Sequence, residues 1–273
     1  MVEVEADTFE GVSDDLGWGQ IFGGQVLGQA LAAAGQTVPS DRLAHALYGS
    51  FLRTGDVRAP VRYVVERLRD GGRFSSRRVL AFQGAEPIFA MTTSFHLPED
   101  GVDHQDDAPT VVPAEQVPSE LERLAHHRHR LPPALRERLG APRAFDLRPV
   151  QADDPVAPAP RPPDRQVWLR TSDRLPDDPR LHQQLLAYAS DFHCLTTALQ
   201  PHGIGWLTPK MHIASLDHAV WFHRPLRVDG WLLHAMHAPT AFGGRGLVRG
   251  AIFDAAGRLV ATTNQEGLLR RRE

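Results

Sequence analysis

Apolar and polar residues along the chain follow two alternating periods, and each period predicts one kind of element. After Gly23 and Gly24, apolar residues recur at helical spacing, and Gly35 is expected to cap the end of that helix. Segments rich in β-formers follow it, and the turn GAEP at 84–87 separates the last two. These predicted strands are VRYVVERLR, SSRRVLAFQ and EPIFAMTTSFHL. The first part of the chain is therefore predicted as a helix followed by an antiparallel sheet.

The same order of elements returns after residue 180. The segment LHQQLLAYASDFHCLTTALQPHG has helical periodicity and is predicted as one long helix. Four strand-like segments follow it: MHIASLDHAVWFH, GWLLHAMHAPT, RGLVRGAIFD and RLVATTNQEGLL. Phe51 aligns with Phe222, and the same offset of 171 aligns further identical residues: Arg53 with Arg224, Gly72 with Gly243, Arg78 with Arg249, Phe82 with Phe253, Ala90 with Ala261 and Thr92 with Thr263. The chain is predicted to contain two copies of one unit.

The stretch between the two copies has a different character. Ser119 and Glu122 form a capping-box pattern ahead of one short helix, and a second starts at proline and ends at Gly140. QADDPVAPAPRPPDR is typical of an extended linker. We predict an N-terminal repeat, a linker with short helices and a Pro-rich segment, and a C-terminal repeat, with the boundaries 1–98, 99–180 and 181–273. Two copies of a long helix wrapped by a curved antiparallel sheet form an α+β fold, the double hot dog.

Composition limits the function classes. The chain has 273 residues, of which 42% are hydrophobic, as expected for a globular protein with a full-sized core. Its net charge of -3 creates no broad basic field, so we expect no nucleic-acid partner. The single cysteine, Cys194, excludes a disulfide framework and favours a reducing compartment, the cytoplasm. The N-terminus lacks the apolar segment of a signal peptide, and no run of about 18 apolar residues predicts a membrane span.

The two copies differ at three polar positions. The second copy has hydrogen-bonding side chains where the first has smaller or apolar ones: Asp191 against about Gly23, Ser215 against Ala44, and Gln265 against Ser94. Burying a charge is expensive unless it is paired, yet the first copy shows that the fold needs no carboxylate at this place. Small residues flank Asp191 on its predicted helix face and leave room for water or substrate. The alternative is a structural acid bonded to backbone amides.

Motifs across nearly the whole chain, outside the linker, resemble those of the acyl-CoA thioesterase II family. They are GWGQIFGGQVLGQAL, FLRTGD, RDGGRFSSRRV, PIFAMTTSF, YASDF, LQPHGIGWL, IASLDHAVWFHRP and ATTNQEG. The resemblance implies a double hot dog that hydrolyses fatty acyl-CoA with an Asp, a Thr or Ser, and a Gln. Those roles fall on Asp191, Ser215 and Gln265.

The chain departs from the family pattern at three places. YGSF, from Tyr48 to Phe51, replaces a His-Ser-Tyr-Phe run, Thr54 replaces a proline, and His193 replaces an asparagine. These departures bear on acyl-chain preference and pocket shape, because the catalytic trio itself is intact.

The resemblance leads to a mechanism without metal or cofactor. Asp191 and Ser215 are expected to orient and activate a water molecule, with Gln265 as a third hydrogen-bonding partner. Ser215 has no histidine base placed by the sequence, so it is not expected to be the nucleophile. Backbone amides at the start of the first helix, at Gly23 and Gly24, are candidates to bind the oxyanion. Acyl-CoA is the expected partner, and a homodimer or homotetramer is expected because hot-dog sheets often extend across subunits.

Other chemical signals have plainer explanations. Asp217 and His218 resemble an acid–base dyad, but adjacent residues of a strand point to opposite faces, which favours a structural role. Cys194 is predicted to have a packing role, as a lone buried cysteine usually has. The histidines within 126–129 lie on a charged helix, where a solvated face is favoured over a metal site. The glycines of DGGR and GRG indicate turns and lack the spacing of a dinucleotide site.

Two other function classes remain open. A hot-dog hydratase would need an Asp–His pair projecting together from the helix, whereas Asp191 and His193 diverge around it. A non-catalytic acyl-CoA-binding protein would not need the polar trio. Release of free thiol from a panel of acyl-CoAs separates the three classes, since a hydratase releases none and a binder shows affinity without turnover.

Overall fold

The computed structural model describes residues 1–17, 19–139, 143–151 and 153–271. The helices are α1 (Gly23–Gln36), α2 (Glu120–His126), α3 (Pro133–Arg138), α4 (Pro179–Ala189) and α5 (Cys194–Leu199). The strands are β1 (Val2–Glu5), β2 (Thr8–Gly11), β3 (Leu43–Phe51), β4 (Val61–Asp70), β5 (Phe74–Gln83), β6 (Glu86–His96), β7 (Phe145–Pro149), β8 (Asp164–Thr171), β9 (Met211–Ser215), β10 (Asp217–Phe222), β11 (Leu232–Phe242), β12 (Arg245–Asp254) and β13 (Leu259–Arg271).

The chain divides into two compact units, and each is made of three separate segments. Unit 1 contains Met1–His104, Asp177–Phe192 and Leu216–Leu226. Unit 2 contains the remaining segments, Gln105–Pro176, His193–Ser215 and Arg227–Glu273. Helix α4 and strand β10 therefore belong to unit 1, although they follow the linker in the chain.

Unit 1 is an antiparallel sheet in the order β1-β2-β4-β5-β6-β3-β10 that packs on α1. The helix contributes fully buried Leu27 and Leu31, and the sheet contributes Phe89 and Phe95. Burying such side chains stabilises the fold by about 1.5–3 kcal/mol each. Helix α4 packs against α1, so unit 1 has a pair of helices where the sequence predicted one.

Unit 2 repeats the arrangement with β9-β13-β12-β11-β8-β7 and with α5 packed on β11, β12 and β13. A smaller apolar cluster, formed by Leu124, Leu131 and Leu135, lies under the short helices of the linker. The linker also supplies β7 and β8, two strands that the Pro-rich composition did not predict. They pair with each other, and β8 pairs with β11.

The internal repeat is confirmed in the strand bounds. Shifted by 171, β5 at 74–83 becomes β12 at 245–254. The turn predicted at 84–87 is shorter in the structure, because β6 begins at Glu86; Gly84, with a positive φ of 61°, lies in the turn between β5 and β6. The capping box is also confirmed, since the Ser119 side chain and the Glu122 backbone and side chain bond reciprocally.

Three local predictions are wrong. Helix α1 includes Gly23 and Gly24 and continues past Gly35 to end at Gln36, with Thr37 as its C-cap. The segment from Met211 to His223 forms two strands, β9 and β10, in different units. The predicted long helix is interrupted after Ala189, as described below. The predicted helix end at Gly140 lies outside the described residues.

Candidate active site

Asp191 lies in the turn between α4 and α5, not in the middle of a helix. Ser190 is the C-cap of α4, and His193 has a φ of 65°, a left-handed conformation that interrupts a right-handed helix. The carbonyl oxygen of His193 accepts hydrogen bonds from the hydroxyls of Thr196 and Thr197, each over 2.9 Å. The prediction that small residues flank Asp191 on one helix face is therefore wrong, because a turn presents this carboxylate.

The Asp191 carboxylate accepts a hydrogen bond from the start of α1. The amide nitrogen of Gly24 donates to Oδ2 of Asp191 over 2.8 Å. The N-cap of α1 is Phe22, which makes no side-chain capping bond, and the first amides of a helix have no partners within it. The carboxylate takes the place of a capping side chain, with its charge at the positive end of the helix dipole. This contact offsets part of the cost of burying the charge.

Glycine at the start of α1 permits this contact. A β-carbon on Gly24 would lie 2.1 Å from the carbonyl oxygen of Tyr188, and one on Gly23 would lie 2.9 Å from Oδ2 of Asp191. One turn later, a β-carbon on Gly28 would lie 2.8 Å from a backbone oxygen of α4. The structure thus brings Gly23 and Gly24 together with Asp191. The Gly24 amide holds a carboxylate of the protein, whereas the sequence predicted that it would bind a substrate oxyanion.

An aromatic cluster surrounds the same turn. The ring of Phe22 stacks on Phe192 with centroids 4.6 Å apart and meets Tyr188 edge-on at 5.2 Å. Tyr188 and Phe192 also meet edge-on, at 5.6 Å. Such pairs stabilise by about 0.5–1.5 kcal/mol beyond their buried area. The three rings join the start of α1 to the residues on either side of Asp191.

A buried serine–histidine pair lies next to Asp191 in the chain. Ser190 and His218 are both 0% exposed, and Oγ of Ser190 is 2.8 Å from Nε2 of His218. Ser190 also donates to the carbonyl oxygen of Ala187 over 2.9 Å. His218 therefore has a hydrogen-bonding role inside unit 1. This contact agrees with the structural role that the sequence favoured over an Asp217–His218 dyad.

Ser215 and Gln265 meet in unit 2. Nε2 of Gln265 donates to Oγ of Ser215 over 2.7 Å. Gln265 is only 1% exposed, and it shares the inward face of β13 with Thr263 and Gly267 because side chains alternate along a strand. Gly267 is opposite Ser215 in the register of β13 and β9. Two of the three predicted catalytic residues are thus hydrogen-bonded to each other.

The corresponding place in the first copy has a structural contact instead. Ala44, the counterpart of Ser215, exchanges two hydrogen bonds with Gln183 of α4 through its backbone, at 3.1 and 2.7 Å. Both residues are buried. Ser94, the counterpart of Gln265, pairs with Ala46 in the sheet. The asymmetry between the copies is therefore real, and the first copy uses this place to hold α4.

A cavity of about 60 Å³ lies in unit 2 beside His193. Its charged lining includes Glu120, Asp153 and Arg165. Nε2 of His193 is 3.6 Å from Oε1 of Glu120, and the histidine side chain is 11% exposed. Burial, and to a lesser degree the charge of Arg165, lowers the pKa of His193 to about 3. This histidine is therefore neutral near pH 7.

Cys194, at the start of α5, is 1% exposed, as the packing interpretation requires. The described part of the chain holds no group of three or more His, Cys, Asp or Glu side chains that could share a metal ion. Among the same residues, no helix has both the length and the apolar character needed to cross a bilayer.

Known proteins resemble this chain over nearly its whole length. Residues 13–96 match the family model described as acyl-CoA thioesterase N-terminal domain, and residues 149–268 match the model described as acyl-CoA thioesterase. Acyl-CoA thioesterase 2 of Haemophilus influenzae is 44% identical over 262 residues, which are 96% of this chain and 92% of that protein. The chain belongs to the acyl-CoA thioesterase II family.

Solved structures agree with this assignment. The acyl-CoA thioesterase II TesB2 of Mycobacterium marinum matches with a TM-score of 0.79 at 39% identity, over 99% of this chain and 96% of that one. A protein of unknown function with a hot dog fold from Alicyclobacillus acidocaldarius matches with a TM-score of 0.77 at 18% identity, over 100% of this chain and 97% of that one, which bears on the fold alone. The predicted α+β double hot dog is confirmed.

Several residues around the candidate site of this thioesterase II family member were not predicted. Ser190 directly precedes Asp191, yet a serine in an apolar helix gives no signal that its partner is 28 residues away. Arg165 and Glu120 lie in the segment predicted as linker, where the sequence indicates no site. His193, by contrast, was marked by its departure from the family pattern, and it is the residue that interrupts the helix.

Proposed function

We propose that this chain hydrolyses the thioester of fatty acyl-CoA to free fatty acid and CoA, with Asp191, Ser215 and Gln265 as its catalytic residues and water as the nucleophile. The observation that supports the proposal best is the contact between the Asp191 carboxylate and the Gly24 amide, 2.8 Å long. This hydrogen bond holds a carboxylate at the start of a helix, in a chain that belongs to a thioesterase family. Neither a hydratase nor a non-catalytic binder is favoured by that family assignment.

Asp191 is proposed as the general base. An ionised carboxylate has about four acceptor positions, of which the Gly24 amide uses one. The carboxylate can therefore accept a proton from water while it stays bound to the helix start. A held base is more effective than a mobile one, because the geometry of proton transfer is set before the reaction begins.

Ser215 and Gln265 are proposed to orient the reactants. Because Gln265 donates to Oγ of Ser215, the hydroxyl hydrogen of Ser215 is directed to another acceptor, such as the attacking water or the thioester oxygen. An amide group is no base, so Gln265 does not accept a proton from Ser215 as a histidine would. The pair is therefore suited to hydrogen bonding and not to a covalent acyl-enzyme.

The proposed reaction is a direct displacement. The water oxygen bonds to the thioester carbon while Asp191 takes one of its protons, and the carbonyl oxygen becomes an oxyanion. The C–S bond then breaks, and the proton passes from Asp191 to the CoA thiolate. Since the Gly24 amide is bound to Asp191, the Gly23 amide, the first of α1, is the remaining candidate from this helix start to meet the oxyanion.

Thiol release tests the function. Purified protein is given acyl-CoAs of increasing chain length, and free CoA is followed with a thiol-reactive dye. Steady release of thiol, at the expense of the thioester, is expected for at least one chain length. Enoyl-CoA hydration without thiol release would support the hydratase instead, and binding of acyl-CoA without turnover would support the non-catalytic protein.

We also propose that the protein works in the cytoplasm as a homodimer or homotetramer. Its one cysteine and the absence of a disulfide framework support a reducing compartment. Tyr48 and Trp221, on the neighbouring strands β3 and β10, are 51% and 42% exposed, and exposed aromatic residues are enriched at subunit interfaces. Light scattering on a sizing column measures the oligomeric state, and a monomer at all concentrations contradicts this part of the proposal.

A further inference from the structure

The pair of Ser190 and His218 is buried in unit 1 and is not used by the proposed chemistry. Both side chains are 0% exposed, and they belong to the C-cap of α4 and to β10. A buried polar pair is not needed for stability, because two apolar groups of similar shape are often as stable or more so. We therefore look for the role of this polar pair in the local geometry that its hydrogen bond fixes.

The hydrogen bonds at Ser190 define which atoms donate. The carbonyl oxygen of Ala187 can only accept, and it lies 2.9 Å from Oγ of Ser190. The single hydroxyl hydrogen is used in that bond, so Nε2 of His218 is the donor in the 2.8 Å contact with Oγ. His218 is thus not a base for Ser190, and the serine is not an activated nucleophile.

Residue 190 is held from both its backbone and its side chain. Its amide donates to the carbonyl oxygen of Leu186 over 2.8 Å, and its hydroxyl joins α4 to His218. Strand β10 is itself held in register, since His218 lies opposite Gly49 of β3. The residue immediately before Asp191 is therefore fixed to the sheet as well as to the helix.

Asp191 depends on this fixed point. Helix α4 ends at Ala189, so Asp191 is the second residue beyond the regular helix, and its carboxylate must still reach the Gly24 amide of α1. We propose that His218 and Ser190 are positioning residues that hold the turn so that the Asp191 carboxylate stays aligned for catalysis. This inference rests on the proposed function of Asp191 as general base.

The experiment measures kcat, KM and thermal stability by thiol release and thermal denaturation in His218→Leu and Ser190→Ala. We expect kcat to fall by about 10²-fold in each, as for a displacement of a reacting group by about 1 Å, with KM within about twofold of the unmodified protein. His218→Gln should recover most of the activity, because its side-chain amide can donate to Oγ of Ser190. His182→Leu is the matched control: His182 is a buried histidine at the other end of α4, and its loss should leave kcat unchanged.

The Asp191→Asn variant, which lacks the proposed base, distinguishes a positioning role of His218 from a general loss of structure. In Asp191→Asn, the further change His218→Leu should alter the residual rate by less than about threefold, because residues that act through one group are not additive. An equal loss in both backgrounds would overturn the inference, as would full activity in His218→Leu and Ser190→Ala. If His218→Leu does not fold, His218→Gln and the double variant Ser190→Ala/His218→Leu, which removes both side chains of this contact, are measured in its place, and full activity of the double variant would overturn the inference. Absence of thiol release by the unmodified protein, or full activity of Asp191→Asn, would instead overturn the proposed function.

Discussion

The amide of Gly24 and the carboxylate of Asp191 are 167 residues apart in the sequence and 2.8 Å apart in the structure. The contact joins the first helix of the chain to the turn after the fourth. It explains both a glycine at the start of α1 and an acid between two helices.

Replacing the carboxylate of Asp191 by an amide tests its role as base. In Asp191→Asn the side-chain oxygen can still accept from the Gly24 amide, but it no longer takes a proton from water. We expect kcat to fall by about 10²–10⁴-fold, while acyl-CoA binding, measured by calorimetry, is retained. Asp154→Asn is the control, because Asp154 also accepts from backbone amides, at 2.9 and 3.1 Å. Near-normal turnover in Asp191→Asn contradicts the mechanism.

The close approach at Gly24 predicts a sharp difference between two glycines of one helix. A β-carbon in Gly24→Ala would meet the Tyr188 carbonyl oxygen at 2.1 Å, whereas in Gly35→Ala its nearest neighbour would be 3.9 Å away. Gly24→Ala should therefore lower the free energy of unfolding by about 1–3 kcal/mol or more and reduce kcat. Gly35→Ala should raise the free energy of unfolding by up to about 1 kcal/mol, because alanine is the better helix former. Urea denaturation and the thiol assay measure both, and equal behaviour of the two variants would count against the contact.

Ser215 and Gln265 are expected to act as a pair. Ser215→Ala should reduce kcat by about 10²-fold, and Ser215→Thr, which keeps the hydroxyl, should retain most of it. Gln265 acts in part through Ser215. The loss of activation free energy, calculated from kcat, should therefore be smaller in the double variant Ser215→Ala/Gln265→Leu than the sum of the losses in Ser215→Ala and Gln265→Leu. A pre-steady-state burst of thiol in the unmodified protein would contradict direct attack by water, because it indicates a covalent acyl-enzyme.

The buried His193 predicts a pH-dependent stability. In the unfolded chain a histidine binds a proton below about pH 6.5, whereas the lowered pKa of about 3 keeps it neutral in the folded protein. The contribution of His193 is therefore present above about pH 6.5 and is lost as the pH falls toward 3, by at most about 1.4 kcal/mol per pH unit.

His193→Asn removes this dependence without a backbone penalty, because asparagine tolerates the φ of 65° at this position. The free energy of unfolding, measured in urea at several acidic pH values, should fall less steeply with decreasing pH in this variant. His129→Asn, at an exposed histidine, is the control and should follow the unmodified protein. Equal slopes for His193→Asn and the unmodified protein would show that the histidine is protonated in the fold.

Much of the site could be predicted because the chain contains its own comparison. The first copy has Ala44 where the second has Ser215, and Ser94 where the second has Gln265. These two differences identified Ser215 and Gln265, which are hydrogen-bonded to each other in the structure. The alternation of β-formers located most strands for a different reason, since a period of two residues depends only on which face of a strand is buried.

The context of Asp191 could not be predicted, because it depends on contacts distant in sequence. A histidine with positive φ at 193 carries no glycine signal, so periodicity continued the helix through the turn. The role of Gly24 follows from the carbonyl of Tyr188, which belongs to another helix. Likewise, the prolines before β8 favoured a linker in the sequence, whereas the strand forms because it pairs with β11.

The segmented composition of unit 1 has a consequence for biosynthesis. Helix α4 and strand β10 pack with residues that leave the ribosome long before them, and the paired bonds between Gln183 and Ala44 close that arrangement. A nascent chain that has reached His104 lacks α4, which packs against Gly24 and Gly28, and it lacks β10, which pairs with β3. Unit 1 is therefore completed only after most of the polypeptide has been synthesised, and a fragment that ends at His104 is expected to be recognised by chaperones as incomplete.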